Sequence, residues 1–97
     1  MLLYVAHKFP NYESAKKAIH KLQIADTENV YVSATLMFAA VADCLPEDIF
    51  AELRIDMLQM CDKCIVFDES SGGIEKELDF VRLVGMEVEK IGNPERY

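Results

Sequence analysis

The stretch from Glu69 to Gly85, ESSGGIEKELDFVRLVG, holds the residues best spaced for chemistry. Ser70-Ser71-Gly72-Gly73 stands where a helix begins. Backbone N–H groups at a helix start lack partners within the helix and attract anions, and Ser hydroxyls add donors. Gly lets a ligand approach the backbone closely. The same residue types are also ordinary helix caps, and both readings stand. On a wheel turning about 100° per residue from Ile74, Glu77 falls at about 300°. That lies inside the apolar arc of Leu78, Val81, Val84 and Phe80, with Glu75, Asp79 and Arg82 opposite. A carboxylate aimed at a core needs a partner or a purpose. A salt bridge or a backbone cap would satisfy it, and so would a ligand. Glu77 lies about 6 Å along the axis from the helix start, comparable with the span from a 5′-phosphate to the anomeric carbon of one nucleotide.

A second charged residue points inward. On the helix expected from Pro46 to about Cys61, Arg54 falls at about 140° from Ile49, between Cys61 and Leu58. It either meets Glu77, holding it ionised or occupying it, or snorkels to solvent.

The elements that must position these residues follow from periodicity. Leu2-Leu3-Tyr4-Val5-Ala6 reads as a buried strand, broken by His7-Lys8-Phe9-Pro10-Asn11. Ala15, Ala18, Ile19 and Leu22 recur with helical spacing over about residues 12–24. Asn29 to Ser33 is a second strand, and 34–44 fits a loop, a short helix or a strand extension. Pro46 suits the first turn of the next helix. Ile65-Val66-Phe67 is the third strand, the helix from Gly73 or Ile74 runs to Gly85, and Met86 to Ile91 is a fourth strand. Apolar strands alternating with helices predict a small α/β doubly wound domain over 1–97. The expected parallel sheet has about four strands in order 2-1-3-4, with helices on both faces. Ligands of such sheets bind outside the carboxyl ends of the strands, where the loops His7–Asn11 and Asp68–Gly73 would lie together with Glu77.

Composition excludes several classes. The 97 residues are 52% hydrophobic and 28% charged, with neither a low-complexity run nor an internal repeat. A net charge of −7 opposes binding to polymeric nucleic acid, whose affinity comes largely from Lys and Arg on phosphates. Lys16, Lys17 and Lys21 read as a solvated helix face. No apolar stretch nears the roughly 20 residues of a membrane span, and MLLYVAHK has no basic lead. The default is a soluble, cytoplasmic protein. Cys61-Asp62-Lys63-Cys64 has CxxC spacing, but no second pair completes a zinc site, and the motif falls between a helix and a following strand. Cys44, Cys61 and Cys64 therefore read as buried or half-buried thiols. Neither GxGxxG nor GxxxxGK[ST] occurs, and no cofactor or metal is called for.

Ser71-Gly72-Gly73-Ile74-Glu75-Lys76-Glu77, following Cys61 to Phe67, resembles the signature of the nucleoside 2-deoxyribosyltransferase superfamily, in particular its small bacterial and phage branch. Tyr4-Val5-Ala6-His7 resembles that branch's first strand and loop. Nearly the whole chain is covered, and Ser71–Glu77 is the sharp part. The resemblance implies a doubly wound fold and Glu77 as a nucleophile that attacks the anomeric carbon of a 2-deoxyribosyl group, with water or a second base resolving the covalent sugar–enzyme. It implies a 5′-phosphate near Ser71, flanked by Ser70, Gly72 and Gly73, and a base or sugar near His7 and Phe9. Transferase members carry Asp where Ser71 stands, which favours a nucleotide over a free nucleoside. Many members carry Asp where Arg54 stands, and the branch has Pro where Lys8 stands. Two functions follow: cleavage or exchange of the N-glycosidic bond of a deoxynucleoside or its 5′-monophosphate, or a catalytically silent nucleotide-binding or interaction module. The superfamily also suggests a homodimer or larger homo-oligomer. Met37, Phe38, Met57 and Met60 supply either its apolar surface or part of the core.

Overall fold

The computed structural model describes residues 1–7, 12–38, 40–67 and 74–91. The chain runs β1 (Leu2–Ala6), α1 (Tyr12–Ala25), β2 (Val30–Val32), α2 (Ala34–Met37), a 3₁₀ turn (Ala42–Cys44), α3 (Glu47–Gln59), β3 (Lys63–Phe67), α4 (Glu75–Val84) and β4 (Glu87–Ile91). The four strands form one parallel sheet in the order β2-β1-β3-β4. The expected α/β doubly wound architecture and strand order are those observed.

Strand alternation sorts the core into two layers. Tyr4 and Ala6 of β1 share one face with Cys64 and Val66 of β3. There they pack against Ala34 of α2, Leu58 of α3, Val81 of α4 and Ile74 just before it. Leu3, Val5, Ile65 and Phe67 point the other way, onto Ala15 and Ala18 of α1, with Ile19 and Leu22 at the margin. Small residues at 15 and 18 let α1 lie close to the sheet. Because β1 and β3 are central, their side chains are covered on both faces, which explains their unbroken apolar runs.

The joints are pinned by local bonds. Asp62 fixes the start of β3 to β1: its carboxylate accepts from Leu2 N at 2.9 Å, and its own N–H donates to Leu2 O at 2.8 Å. At the α1–β2 turn, Asp26 accepts from the backbone N–H of Glu28 and Asn29, from the Asn29 amide and from the Tyr31 hydroxyl. Those bonds, that from Asn29 foremost, hold its carboxyl below the usual carboxylate range. Gln23 bridges the same turn to the Tyr31 N–H.

Of the alternatives open for 34–44, a short helix is the one observed at Ala34–Met37, started by Ser33 Oγ accepting from Leu36 N at 3.2 Å, and a 3₁₀ turn follows at Ala42–Cys44. Several other details differ from the sequence reading. β3 begins at Lys63 and β4 at Glu87. Val84 falls on the apolar arc of the wheel yet is 52% exposed, since the packed side of α4 extends to Val81 and the helix stops at Gly85. Gly85 has φ 71°, the left-handed conformation that ends helices and that glycine adopts without strain. Cys44 is exposed, while Cys61 and Cys64 are buried. Phe38 and Met57 pack on the core, whereas Met37 and Met60 are exposed. Among the described residues, no helix is long and apolar enough to cross a membrane.

Leu58 is wholly buried between α3 and the sheet, and Leu83 is 83% exposed. In urea denaturation, Leu58→Ala is expected to cost about 2–5 kcal/mol and Leu83→Ala within about 0.5 kcal/mol of nothing. Equal effects would contradict the layering described.

Candidate functional site

Glu77 stands in the first turn of α4, which begins at Glu75, on the side that faces α3 and the sheet, and is 2% exposed. Its Oε1 lies 3.0 Å from Nε of Arg54, which projects from the facing side of α3 and is 7% exposed. The Nε–H is not aimed at that oxygen, so the contact is an ion pair without an aligned hydrogen bond. From β1 beneath them, the Tyr4 hydroxyl donates to the same Oε1 over a long 3.5 Å. Glu77 Oε2 has no hydrogen-bond partner among the described residues.

Arg54 is held from two further directions. Its Nη2 reaches Glu47 Oε1 at the exposed start of α3, 3.3 Å away, and its guanidinium lies 4.8 Å from the centre of the Phe50 ring. The alternatives left open by the sequence are thereby decided: Arg54 turns inward and meets Glu77.

Burial dominates the electrostatics. It raises the Glu77 carboxyl above its ordinary value, with the Arg54 charge, then Glu77's own backbone N–H and the Tyr4 hydroxyl, pulling back down. Burial, then the Glu77 charge, raises the Tyr4 phenol, so it stays a donor. The Cys64 thiol, paired in register with Tyr4 on the neighbouring strand, is pushed up to about 12 by burial and then by Glu77. Burial also takes Cys61 up to about 11. Neither thiol of the CxxC pair has the lowered pKa of a redox nucleophile.

His7 occupies a different place. It follows β1 at the carboxyl edge of the sheet, is 3% exposed, and its Nε2 lies 2.6 Å from Ser33 Oγ at the end of β2. Its ring centre lies 6.5 Å from that of Phe67, the last residue of β3. The described residues therefore give two polar clusters, one between α3 and α4 and one at the edge where ligands of such sheets bind. Phe9, Ser70, Ser71, Gly72 and Gly73 lie outside the described residues.

Sequence reasoning found Glu77 and Arg54 from the wheel but missed Tyr4 and Ser33. A Tyr in a buried strand implies a hydroxyl in need of a partner, and Ser33 ahead of an apolar run is a cap signal. Both signals were present. Elsewhere, a groove of about 380 Å³ is lined by Asp48, Ala51, Glu52, Ile55, Asp56 and Lys76 on the outer side of α3 and α4, and neither cluster lines it. Among the described residues, no group of three or more His, Cys, Asp or Glu is arranged to hold a metal ion.

Removing one partner from a buried pair strands the other charge, at about 3–5 kcal/mol. Arg54→Met is therefore expected to destabilise by about that much, and adding Glu77→Gln should restore most of the loss; a double variant no more stable than the single one would refute the pairing. A raised carboxyl pKa means that the native state holds the proton more tightly than the unfolded chain. That contribution is full below the unfolded pKa and fades as pH rises through the folded one. The stability of Glu77→Gln relative to wild type should accordingly climb with pH above the ordinary carboxylate range, and a flat difference would reject the shift.

The chain matches no protein-family model, no curated protein and no solved structure.

Proposed function

We propose that the protein cleaves or exchanges the N-glycosidic bond of a deoxynucleoside or deoxynucleoside 5′-monophosphate, with Glu77 as nucleophile, as its resemblance to the nucleoside 2-deoxyribosyltransferase superfamily implies. The observation that carries this reading is the Glu77 carboxylate itself. One oxygen is taken by Arg54 and Tyr4, and the other, Oε2, is buried with no hydrogen-bond partner among the described residues. An orphaned carboxylate oxygen is costly to a fold and useful to a reaction.

In this mechanism Oε2 attacks the anomeric carbon, forming a C–O bond as the C–N bond breaks. The base leaves with the electron pair. Water then attacks the same carbon, restores the carboxylate and leaves 2-deoxyribose or its 5-phosphate. Over the two steps the water supplies the hydroxyl to the sugar and a proton to the departed base. A second base in place of water gives exchange instead. Arg54 and Tyr4 hold Oε1 throughout, which fixes the direction of Oε2. The raised pKa predicts activity that increases with pH as Glu77 ionises.

A second reading is favoured by a specific observation. Glu77 is 2% exposed with Arg54 against it, so the carboxylate is enclosed in this conformation. A silent nucleotide-binding or interaction module of the same fold would keep that pair for stability alone.

Incubating wild type and Glu77→Gln with a panel of deoxynucleosides and deoxynucleoside 5′-monophosphates, and following free base by chromatography, separates the two. Release that the substitution abolishes supports the enzyme, and preference for the monophosphates supports a phosphate site at Ser71. Absence of release from every substrate by folded protein leaves the silent module. The resemblance also implies a homodimer, to which Met37 and Met60 each offer an exposed apolar side chain; a strict monomer by light scattering would reject that assembly.

A further inference from the structure

Arg54 makes both of its ionic contacts with one edge of its guanidinium. Nε and Nη2 lie side by side on that edge with their N–H bonds pointing the same way, the fork that ordinarily grips both oxygens of a single carboxylate. Here the fork is divided. Nε stands 3.0 Å from Glu77 Oε1, while Nη2 donates to Glu47 Oε1 at 3.3 Å. The Nε–H is left unaligned, and Glu77 Oε2, the atom a second arm would reach, has no hydrogen-bond partner among the described residues.

Helix chemistry does not ask this of Glu47. An acidic residue in a first turn stabilises the helix start through its charge alone, and Asp48 stands in the same turn. Glu47 instead extends to a residue seven positions on, two turns or about 10 Å along the axis. Its side chain is 75% exposed and can take its hydrogen bonds from water, whereas that of Glu77 is 3% exposed. Desolvation by itself would give both arms to the buried carboxylate. A small turn of the guanidinium, backed by the Phe50 ring 4.8 Å away, would align Nε–H with one Glu77 oxygen and bring Nη2 to the other. The bond to Glu47 opposes that turn.

We propose that Glu47 is a positioning residue for the Glu77 nucleophile: by drawing Arg54 Nη2 toward the exposed start of α3, it keeps Glu77 held through one oxygen and leaves Oε2 free to react. The proposal rests on the reading of Glu77 as a nucleophile, and adds to it a residue that acts only through Arg54. It also gives the site two states. With the fork divided, Glu77 is competent; with the fork on both oxygens, it is a silent salt bridge.

The test compares wild type with Glu47→Gln and Glu47→Ala, substitutions at an exposed position that leave the core intact. Gln removes the charge but keeps a carbonyl oxygen for Nη2, and Ala removes both. Among the described residues, the groups that face Glu77 are Arg54 and Glu47 of α3, Tyr4 of β1 and Cys64 of β3. The phenol and the thiol, both raised by burial, are neutral at ordinary pH. Loss of the Glu47 charge therefore lowers the Glu77 pKa alike in both variants, and closure of the fork lowers it further in Ala alone. Carbon-13 NMR titration of the Glu77 carboxyl, assigned with Glu77→Gln, should give wild type the highest value, Glu47→Gln the next and Glu47→Ala the lowest. With a deoxynucleoside or 5′-monophosphate that wild type cleaves, kcat should fall about tenfold in Glu47→Ala, the worth of one charge-assisted hydrogen bond broken before Oε2 attacks. KM should stay unchanged, and Glu47→Gln should keep most of the rate. Equal titration of Glu77 in the two variants would overturn the proposal, since charge alone would then account for Glu47. So would an unaltered kcat in Glu47→Ala, which would leave the N-glycosidase reading standing. Release of base by neither wild type nor variants would sink that reading and the proposal with it, even where the titration shows the fork closing.

Discussion

The ion pair between Arg54 and Glu77 is the contact on which the helical layer over one face of the sheet depends. Moving two charges out of water costs several kcal/mol each even after relaxation, and the chain offsets this with an unusual concentration of partners. Arg54 is gripped by Glu77 on one side, by Glu47 at the exposed start of its own helix and by the Phe50 ring, while Tyr4 donates to Glu77 from the strand below. One side chain thus ties α3 to α4, and a second ties both to β1. The arrangement is not fully satisfied. The Nε–H is misaligned, and Oε2 has no hydrogen-bond partner among the described residues, where an apolar pair of similar volume would leave no polar atom unmatched.

Those imperfections connect packing to chemistry. A carboxylate with both oxygens hydrogen-bonded is a poor nucleophile, whereas one held by a single oxygen is oriented with a lone pair to spare. Burial works in the opposite direction, raising the pKa and reducing the ionised fraction, and Arg54 limits that loss. Under the proposed function Glu77 serves structure and reaction through different atoms: Oε1 against Arg54 Nε for cohesion, and Oε2 for attack. At the sheet edge, Ser33 likewise caps α2 with its oxygen and lies 2.6 Å from His7 Nε2.

The charge balance of the protein bears on the kind of ligand that fits. With a net charge of −7 and carboxylates along the outer side of α3, the field around the molecule repels polyanions. A single phosphate held by backbone N–H groups at a helix start is a different matter, because those dipoles act over short distances and need no basic side chain.

Much of the fold was legible in the amino-acid order alone. The apolar runs of β1 and β3 specify central strands buried on both faces. The spacing of Ala15, Ala18, Ile19 and Leu22 specifies the face of α1, and strand–helix alternation with short links leaves few topologies besides order 2-1-3-4. Angular position likewise placed Glu77 on the inward face of its helix, since helical geometry is fixed by the backbone. Distance was not legible. The same angle for Arg54 suits an inward pair or a side chain curling to solvent, and only the approach of α3 to α4 made it a 3.0 Å contact. The partner of Ser33 lies 26 residues away, just past the end of β1, so no local pattern could name it. The segment 34–44 lacked any period because the hydroxyl of Ser33 shapes its start more than hydrophobic repetition does. Sequence determined which way each residue faces, through periodicities set by the backbone; tertiary structure decided which faces meet, because that depends on the packing of segments far apart in the chain.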